Sequence, residues 1–173
     1  MQTPPIIRSL TAADAQAYQA LRLRALAECP AAFSANFADE VGRTLAEIEA
    51  RVAPAADGSV RMFGACIDDE LVGFIAVIRP MRAKLTHCAS LAGTYVAPEF
   101  RGRRIGHGLM QAVIAHARSL EGVRHLKLTV TQNNAPARRL YESFGFVRFG
   151  IEPEALYVDG EYFDDEHFSL RLI

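Results

Sequence analysis

The sequence contains no tryptophan, only three cysteines and almost no net charge. Its 19 lysines and arginines are balanced by 20 acidic residues, so it lacks the basic excess that general binding to nucleic acid or anionic membranes requires. Cys29, Cys66 and Cys88 are far apart and lack the paired spacing of a zinc knuckle or a redox motif. We therefore expect them to be small buried hydrophobic residues in a reducing compartment.

Long hydrophobic stretches are absent as well. The longest apolar run, residues 71–78, is far too short to span a bilayer. The first ten residues show no charged leader followed by an apolar segment. The five histidines form no paired ligand motif, so no metal site is predicted. These absences favour a soluble cytoplasmic protein with no metal, nucleic-acid or membrane partner.

The chain has the length and apolar content of one domain, covering residues 1–173, that can bury a core without disulfides. Its strand patterns come first as a hairpin and later alternate with helices. This order indicates an α/β fold with a mixed sheet and a parallel portion in its second half. Predicted strands cover residues 6–9, 61–67, 71–79, 88–96, 126–131, 146–149 and 162–172, and predicted helices cover residues 11–28, 45–52, 105–120 and 135–144.

A turn rich in glycine and arginine follows the predicted strand 88–96. Strand, turn and helix together aim unpaired backbone N–H groups and a positive helix end at one place, where a phosphate or pyrophosphate would bind. The turn lacks the letters of a dinucleotide fingerprint or a Walker loop, because Gln111 replaces the third glycine and His107 follows Gly106. Glycines 102, 106 and 108 would permit positive φ and close approach of a ligand, and arginines 101, 103 and 104 would add charge.

A second motif covers residues 133–146. Asn133 or Asn134 can cap a helix that tolerates Pro136 in its first turn, and Gly145 can end that helix. Alone, each motif is explained as local structure. Two motifs in this order, with strand and helix patterns between them, make that explanation a poor one for the pair.

Together the two motifs resemble the GNAT acetyltransferase superfamily. The family's pyrophosphate loop, Gln/Arg-x-x-Gly-x-Gly/Ala, is similar to residues 103–108, and its preceding strand end is similar to residues 94–98. The family segment Asn-x-x-Ala-x-x-Leu-Tyr-x-x-x-Gly-Phe is matched within residues 134–146. The resemblance covers roughly residues 71–149 and implies a mixed, centrally splayed sheet of about seven strands flanked by helices. Arg104 departs from it, since relatives often carry glycine there.

The resemblance also implies an acetyl-CoA site. The main chain of Tyr95 and Val96 would bind the pantetheine arm and the acetyl carbonyl, and Tyr141 would lie beside the sulfur as catalytic proton donor. When an amine attacks a thioester, charge develops on the oxygen and then on the departing sulfur, which such a donor stabilises. The alternative is that Tyr141 only fills the core. The cofactor-binding residues implied are Tyr95, Val96, Arg101, Arg103, Arg104, Ile105, Gly106, His107, Gly108 and Asn134.

The function so predicted is transfer of the acetyl group of acetyl-CoA directly to a primary amine of a small molecule, peptide or protein. Two alternatives stay open: a module that binds acyl-CoA without turnover, and an unrelated nucleotide-binding α/β domain. A homodimer stays open too. No residue stands out as the base, and the candidates Glu40, His87, Glu154 and His167 are each better explained as surface or capping residues.

Charge is unevenly distributed along the chain. Residues 79–104 contain six arginines or lysines and one glutamate, which suits the anionic coenzyme. Residues 152–166 contain seven acidic and no basic residues. This segment, including Glu154, Asp164 and Asp165, would attract a cationic acceptor such as a polyamine, an amino-acid derivative or a protein amine. A solvated acidic tail explains it equally well.

Overall fold

The computed structural model describes residues 3–173, which form one seven-stranded sheet with helices on both faces. The spatial order is β1-β2-β3-β4-β5-β7-β6. Within residues 3–173 no helix is long and apolar enough to cross a membrane. The strands are β1 (Ile6–Ser9), β2 (Val60–Ile67), β3 (Glu70–Ile78), β4 (Cys88–Val96), β5 (His125–Thr131), β6 (Val147–Val158) and β7 (Glu161–Arg171), and the helices are α1 (Ala15–Glu28), α2 (Phe37–Val41), α3 (Leu45–Val52), α4 (Ile105–Ser119) and α5 (Ala135–Ser143).

The two faces of β3 carry the two halves of the core. Ile75 and Val77 belong to the apolar cluster that includes buried residues of α4, β5 and β7. Phe74 and Ala76 belong to the cluster beneath α1 and α3. Because β3 is covered on both faces, its sequence is apolar from Leu71 to Ile78, as expected for a central strand.

Strands β4 and β5 are the one parallel pair in the described sheet, and they pair over only three residues, beginning with Cys88 opposite His125. Beyond this point the strands separate. In β4 the register against β3 shifts, and Gly93 adopts a φ of +60° within this bulge. Bulges bend a strand and increase its twist. The sheet is therefore splayed at its centre, as the resemblance implied.

The fold class and most element positions are confirmed, with three differences. The α-helix predicted from residue 11 begins at Ala15, because residues 12–14 form a 3₁₀ turn at which the Thr11 N–H and hydroxyl both donate to Asp14. Helix α2 was not predicted. The strand predicted at residues 146–149 extends over all of β6. As an edge strand mostly open to solvent, β6 carries charged residues that hide its alternation.

Candidate active site

The separation of β4 and β5 opens two cavities joined by a narrow passage. The loop cavity, about 550 Å³, lies beside the β4–α4 turn and is lined by residues that include Val96, Gly102 and His107. The hairpin cavity, about 540 Å³, lies toward β6 and β7 and is lined by residues that include Asp165 and His167. The passage, about 110 Å³, shares Asn134 with the loop cavity and Gly93 with the hairpin cavity. One molecule in each cavity could therefore meet the other at the passage.

The turn before α4 presents unpaired backbone donors. Gly102 and Arg104 both have left-handed φ, at +78° and +59°. The Gly108 N–H donates to the Arg104 carbonyl at 3.0 Å. The N–H groups of residues 102–107 donate to no carbonyl in the part of the chain that the structure describes. A series of free amides at a helix N-terminus is a site for an anion such as phosphate.

The three glycines of this segment, at positions 102, 106 and 108, have different structural roles. Only Gly102 has the positive φ that the sequence suggested for all three. Gly106 and Gly108 lie in α4, where a Cβ would meet Leu140 Cδ2 at 3.2 Å and Ile7 Cγ1 at 3.1 Å, respectively. Gly108 thus allows α4 to pack closely on β1. Gly106 brings α4 close to α5 and also lines the loop cavity.

The three arginines of the turn are held differently. Arg101 donates from Nε to the Val96 carbonyl at 3.0 Å, so that carbonyl is already occupied. Arg103 lies over the Phe100 ring, at 5.2 Å from its centroid, and does not line the loop cavity. Arg104 is exposed and lines the cavity. Of the three charges predicted around an anion, Arg101 and Arg104 line the cavity, and Arg104 is the one whose guanidinium makes no hydrogen bond within residues 3–173.

Tyr95 connects β4 to the end of α1. Its hydroxyl donates to Glu28, and burial together with this carboxylate raises the pKa of Tyr95. Arg24 forms salt bridges with Glu28 at 2.7 Å and with Glu99, just before the turn, at 2.6 Å. These contacts hold the start of the turn against α1.

Helix α5 brings Asn134 and Tyr141 to the passage. Asn134 caps the helix by accepting the Ala137 N–H at 3.3 Å, which leaves its NH₂ group free for another contact. Tyr141 is 6% exposed and lines the passage. Burial raises the pKa of Tyr141, partly offset by an interaction with Thr94. Tyr141 is therefore a neutral phenol that can donate a proton or a hydrogen bond.

A buried carboxylate holds α5 in place. Glu166 of β7 is fully buried and accepts from Arg138 of α5, at 3.2 Å to each oxygen. Arg148 of β6 donates to the same carboxylate. Because Arg138 lies one turn before Tyr141, this ion pair fixes the helix that carries the phenol.

The hairpin cavity contains acidic, basic and imidazole groups. His167 Nε2 lies 3.0 Å from Glu152 Oε2, and its Nδ1 lies 3.2 Å from Thr129 Oγ1. Asp165 Oδ1 is buried and makes no hydrogen bond within residues 3–173. Burial raises the pKa of Asp165 above that of an ordinary aspartate. A carboxylate of this kind accepts a proton more readily than an exposed one.

Of the four candidate bases, only His167 lines a cavity. Glu40 is buried in a salt-bridge cluster with Arg43 and Arg51. The other two, Glu154 and His87, line none of the three cavities. Of the acidic segment, Asp165 and Glu152 line the hairpin cavity, whereas Asp164 does not and instead accepts the Glu154 N–H.

Sequence reasoning did not single out Glu152 or Arg22, which both line the hairpin cavity. Asp165 was recognised only as part of an acidic segment. A usable signal was the alternation of β7, which places Asp165 and His167 on one face. The signal at Arg22 is its helical spacing from the buried Tyr18 and Ala25 of α1, but only packing of the whole domain brings α1 to this cavity.

Comparison with known proteins identifies relatives of this chain. Residues 23–146 match the sequence model of the Acetyltransferase (GNAT) family. The mycothiol acetyltransferase of Brachybacterium faecium is 32% identical over 133 residues, which are 77% of this chain and 38% of that protein. The L-amino acid N-acetyltransferase AaaT of Escherichia coli is 30% identical over 105 residues, or 61% of this chain and 64% of that protein. This chain thus spans about one third of the length of the first relative and about two thirds of the length of the second.

Solved structures share the whole fold. The GNAT-family acetyltransferase of Streptococcus pneumoniae superposes with a TM-score of 0.88 at 22% identity, covering 96% of this chain and 98% of that one. The yncA structure from Salmonella typhimurium, determined with its cofactor acetyl-CoA, gives a TM-score of 0.80 at 20% identity and covers 99% and 95% of the two chains. At these identities the likeness concerns the fold.

Proposed function

This chain belongs to the acetyltransferase (GNAT) family, and from that premise we propose that it transfers the acetyl group of acetyl-CoA directly to a primary amine of a small molecule or peptide. The observation that carries the proposal is the pair of cavities that meet at Tyr141 through the splayed sheet. The relatives named for mycothiol and L-amino acid acetylation support a small amine-bearing acceptor.

The coenzyme is assigned to the loop cavity. Its diphosphate would bind the free amides of residues 102–107, with Arg104 as the nearest mobile cation. The pantetheine arm would follow the main chain of Tyr95 and Val96. Arg101 already occupies the Val96 carbonyl as an acceptor, and the free NH₂ of Asn134 would donate to a carbonyl of the arm. This arrangement brings the thioester into the passage.

The chemistry then needs three proton movements. The amine, entering from the hairpin cavity, loses a proton to Asp165, directly or through water, and attacks the acetyl carbonyl. The C–S bond breaks as the tetrahedral intermediate collapses, the Tyr141 phenol protonates the departing thiolate, and the excess proton on the attacking nitrogen returns to the phenolate as the amide forms. His167, positioned by Glu152, is the second group that could relay the first proton. Both substrates are bound together, so no acyl-enzyme is formed.

The test is thiol release from acetyl-CoA with a panel of amines, together with calorimetry of coenzyme binding. We expect Tyr141→Phe to lower kcat by about 10²–10⁴-fold, the usual contribution of a proton donor, while the Kd for acetyl-CoA changes little. Tyr18→Phe is the matched control: Tyr18 is also buried, but it packs edge-on against Phe74 and lines none of the three cavities.

Two outcomes would overturn the proposal in different ways. Tight acetyl-CoA binding without thiol release, for every amine tested, would identify an acyl-CoA-binding module instead. Thermal stabilisation by ATP or NAD but not by acetyl-CoA would contradict the assignment of the coenzyme to the loop cavity. If the kcat of Tyr141→Phe is within threefold of that of the original protein, acetyl transfer stands, but the Tyr141 phenol is not its proton donor.

A further inference from the structure

Arg22 of α1 is a buried cation that forms no hydrogen bond or salt bridge within residues 3–173. It is only 9% exposed, and its Nε and Nη1 atoms are buried and unpaired within residues 3–173. Its guanidinium carbon lies 4.6 Å from the centroid of the Phe33 ring, and both residues line the hairpin cavity. Buried charges in proteins are normally paired or bound to a ligand, because removal from water is costly. Arg22 therefore requires an explanation.

The surrounding residues do not supply the missing anion. Glu40 is the carboxylate of this region, and it already accepts from Arg43 at 2.6 Å and from Arg51 at 2.8 Å. Glu40 thus pairs with two arginines, and Arg22, the third arginine whose charge Glu40 influences, forms no salt bridge within residues 3–173. Burial lowers the pKa of Arg22, with Tyr18 and Glu40 partly opposing this effect. An anion entering the hairpin cavity would meet a desolvated guanidinium with free N–H donors.

The same cavity holds an unpaired group of the opposite sign. Asp165 Oδ1 is buried without a partner, and Glu152 with His167 adds a second polar group on that wall. Arg22 and Asp165 form no salt bridge with each other among the described residues, although both line the cavity. The site therefore offers separate positions for an anion and for an amine. A cavity of about 540 Å³ lies in the range of small-ligand sites.

From these charges, and on the basis of the proposed acetyl transfer, we propose that the acceptor is an amino carboxylate: its carboxylate binds the Arg22 guanidinium, and its amine faces Asp165 beside the passage. A polyamine would place a cation against Arg22 and leave the buried guanidinium unpaired. The acidic segment would thus bind only the amine of the acceptor, although the sequence suggested it as the whole acceptor site. Arg22 of α1 would bind the carboxylate, and its positive charge excludes acceptors that carry only positive charges.

The experiment compares three forms of each acceptor side chain: the free amino acid, its carboxamide and the decarboxylated amine. We expect the free acid to have a kcat/KM at least tenfold higher than that of its two analogues. In Arg22→Met this preference should disappear, with kcat/KM for the acid falling about 10–100-fold, mainly through KM. Arg22→Lys should retain part of the preference. The Kd for acetyl-CoA, measured by calorimetry, should stay within twofold in both variants.

Arg8→Met serves as the control, since Arg8 pairs with Asp14 and lines none of the three cavities. Thiol release that prefers the carboxamide or the decarboxylated amine would overturn this inference and leave acetyl transfer intact. An unchanged preference ratio in Arg22→Met would do the same. No thiol release with any amine would instead contradict the proposed function. If Arg22→Met does not fold, the preference of the original protein and of Arg22→Lys decides.

Discussion

Arg104 occupies a left-handed backbone conformation at the start of α4, with φ of 59° and ψ of 16°. This conformation costs a residue with a Cβ about 1–2 kcal/mol, and glycine adopts it freely. Arg104→Ala removes the charge and keeps the strain, whereas Arg104→Gly removes both. We expect the glycine variant to be more stable than the alanine variant by about 0.5–1 kcal/mol, because the freedom of glycine in the unfolded chain offsets part of the gain. Thermal unfolding should show this as about 1–4 °C.

The same two variants separate backbone from charge in coenzyme binding. Each loses one exposed cation beside the free amides, and an exposed ion pair contributes up to about 1 kcal/mol. Calorimetry should therefore show the Kd for coenzyme A rising up to about fivefold in both variants, with a smaller difference at high salt. Arg104→Lys should keep the affinity. Equal melting temperatures for the alanine and glycine variants would refute the strain argument, and an unchanged Kd in both would remove Arg104 from the anion site.

Three further predictions follow from buried or strained positions. Glu166→Gln should lower the free energy of unfolding by about 2–3 kcal/mol in urea titrations. This is less than for a fully buried pair, because its arginine partners are 32% and 49% exposed. The exposed Glu161→Gln should change the free energy of unfolding by under about 0.5 kcal/mol. Asp165→Asn should stabilise the fold at neutral pH. Since burial raises the pKa of Asp165, the charged form destabilises the native state, and melting curves should show the gain vanishing as pH falls below the ordinary aspartate value of 3.8. Gly93→Ala should cost about 1–2 kcal/mol through its φ of +60° alone, because its new Cβ would meet only ordinary contacts; an unchanged melting temperature would show that the bulge relaxes.

Local sequence was enough to predict the β4–α4 turn and the α5 cap. At Gly102 and Asn134 the conformation depends on residues within one helical turn. The structure shows the positive φ expected of Gly102 and the helix cap expected of Asn134. The same reasoning explains the departure at position 104, since the backbone there is the one that glycine favours. Features set by neighbouring residues can be read from a single sequence.

Features set by packing over long distances could not be predicted in this way. Arg22 stands among the buried positions of α1, and its missing partner becomes visible only when Glu40 is seen to bind two other arginines. Glu40 itself suggested a base, yet its contacts make it a structural anion. In β6, exposure on an edge removed the periodicity by which strands are recognised.

Helix α1 has a consequence for how two ligands would influence each other. Arg22 faces the hairpin cavity, and Arg24 and Glu28, at the end of the same helix, hold Glu99 and Tyr95 beside the loop cavity. A displacement of α1 would therefore move residues beside both cavities. We expect heterotropic linkage: a non-reactive coenzyme analogue should alter the affinity for the acceptor, and the acceptor should alter the affinity for the analogue by an equal factor.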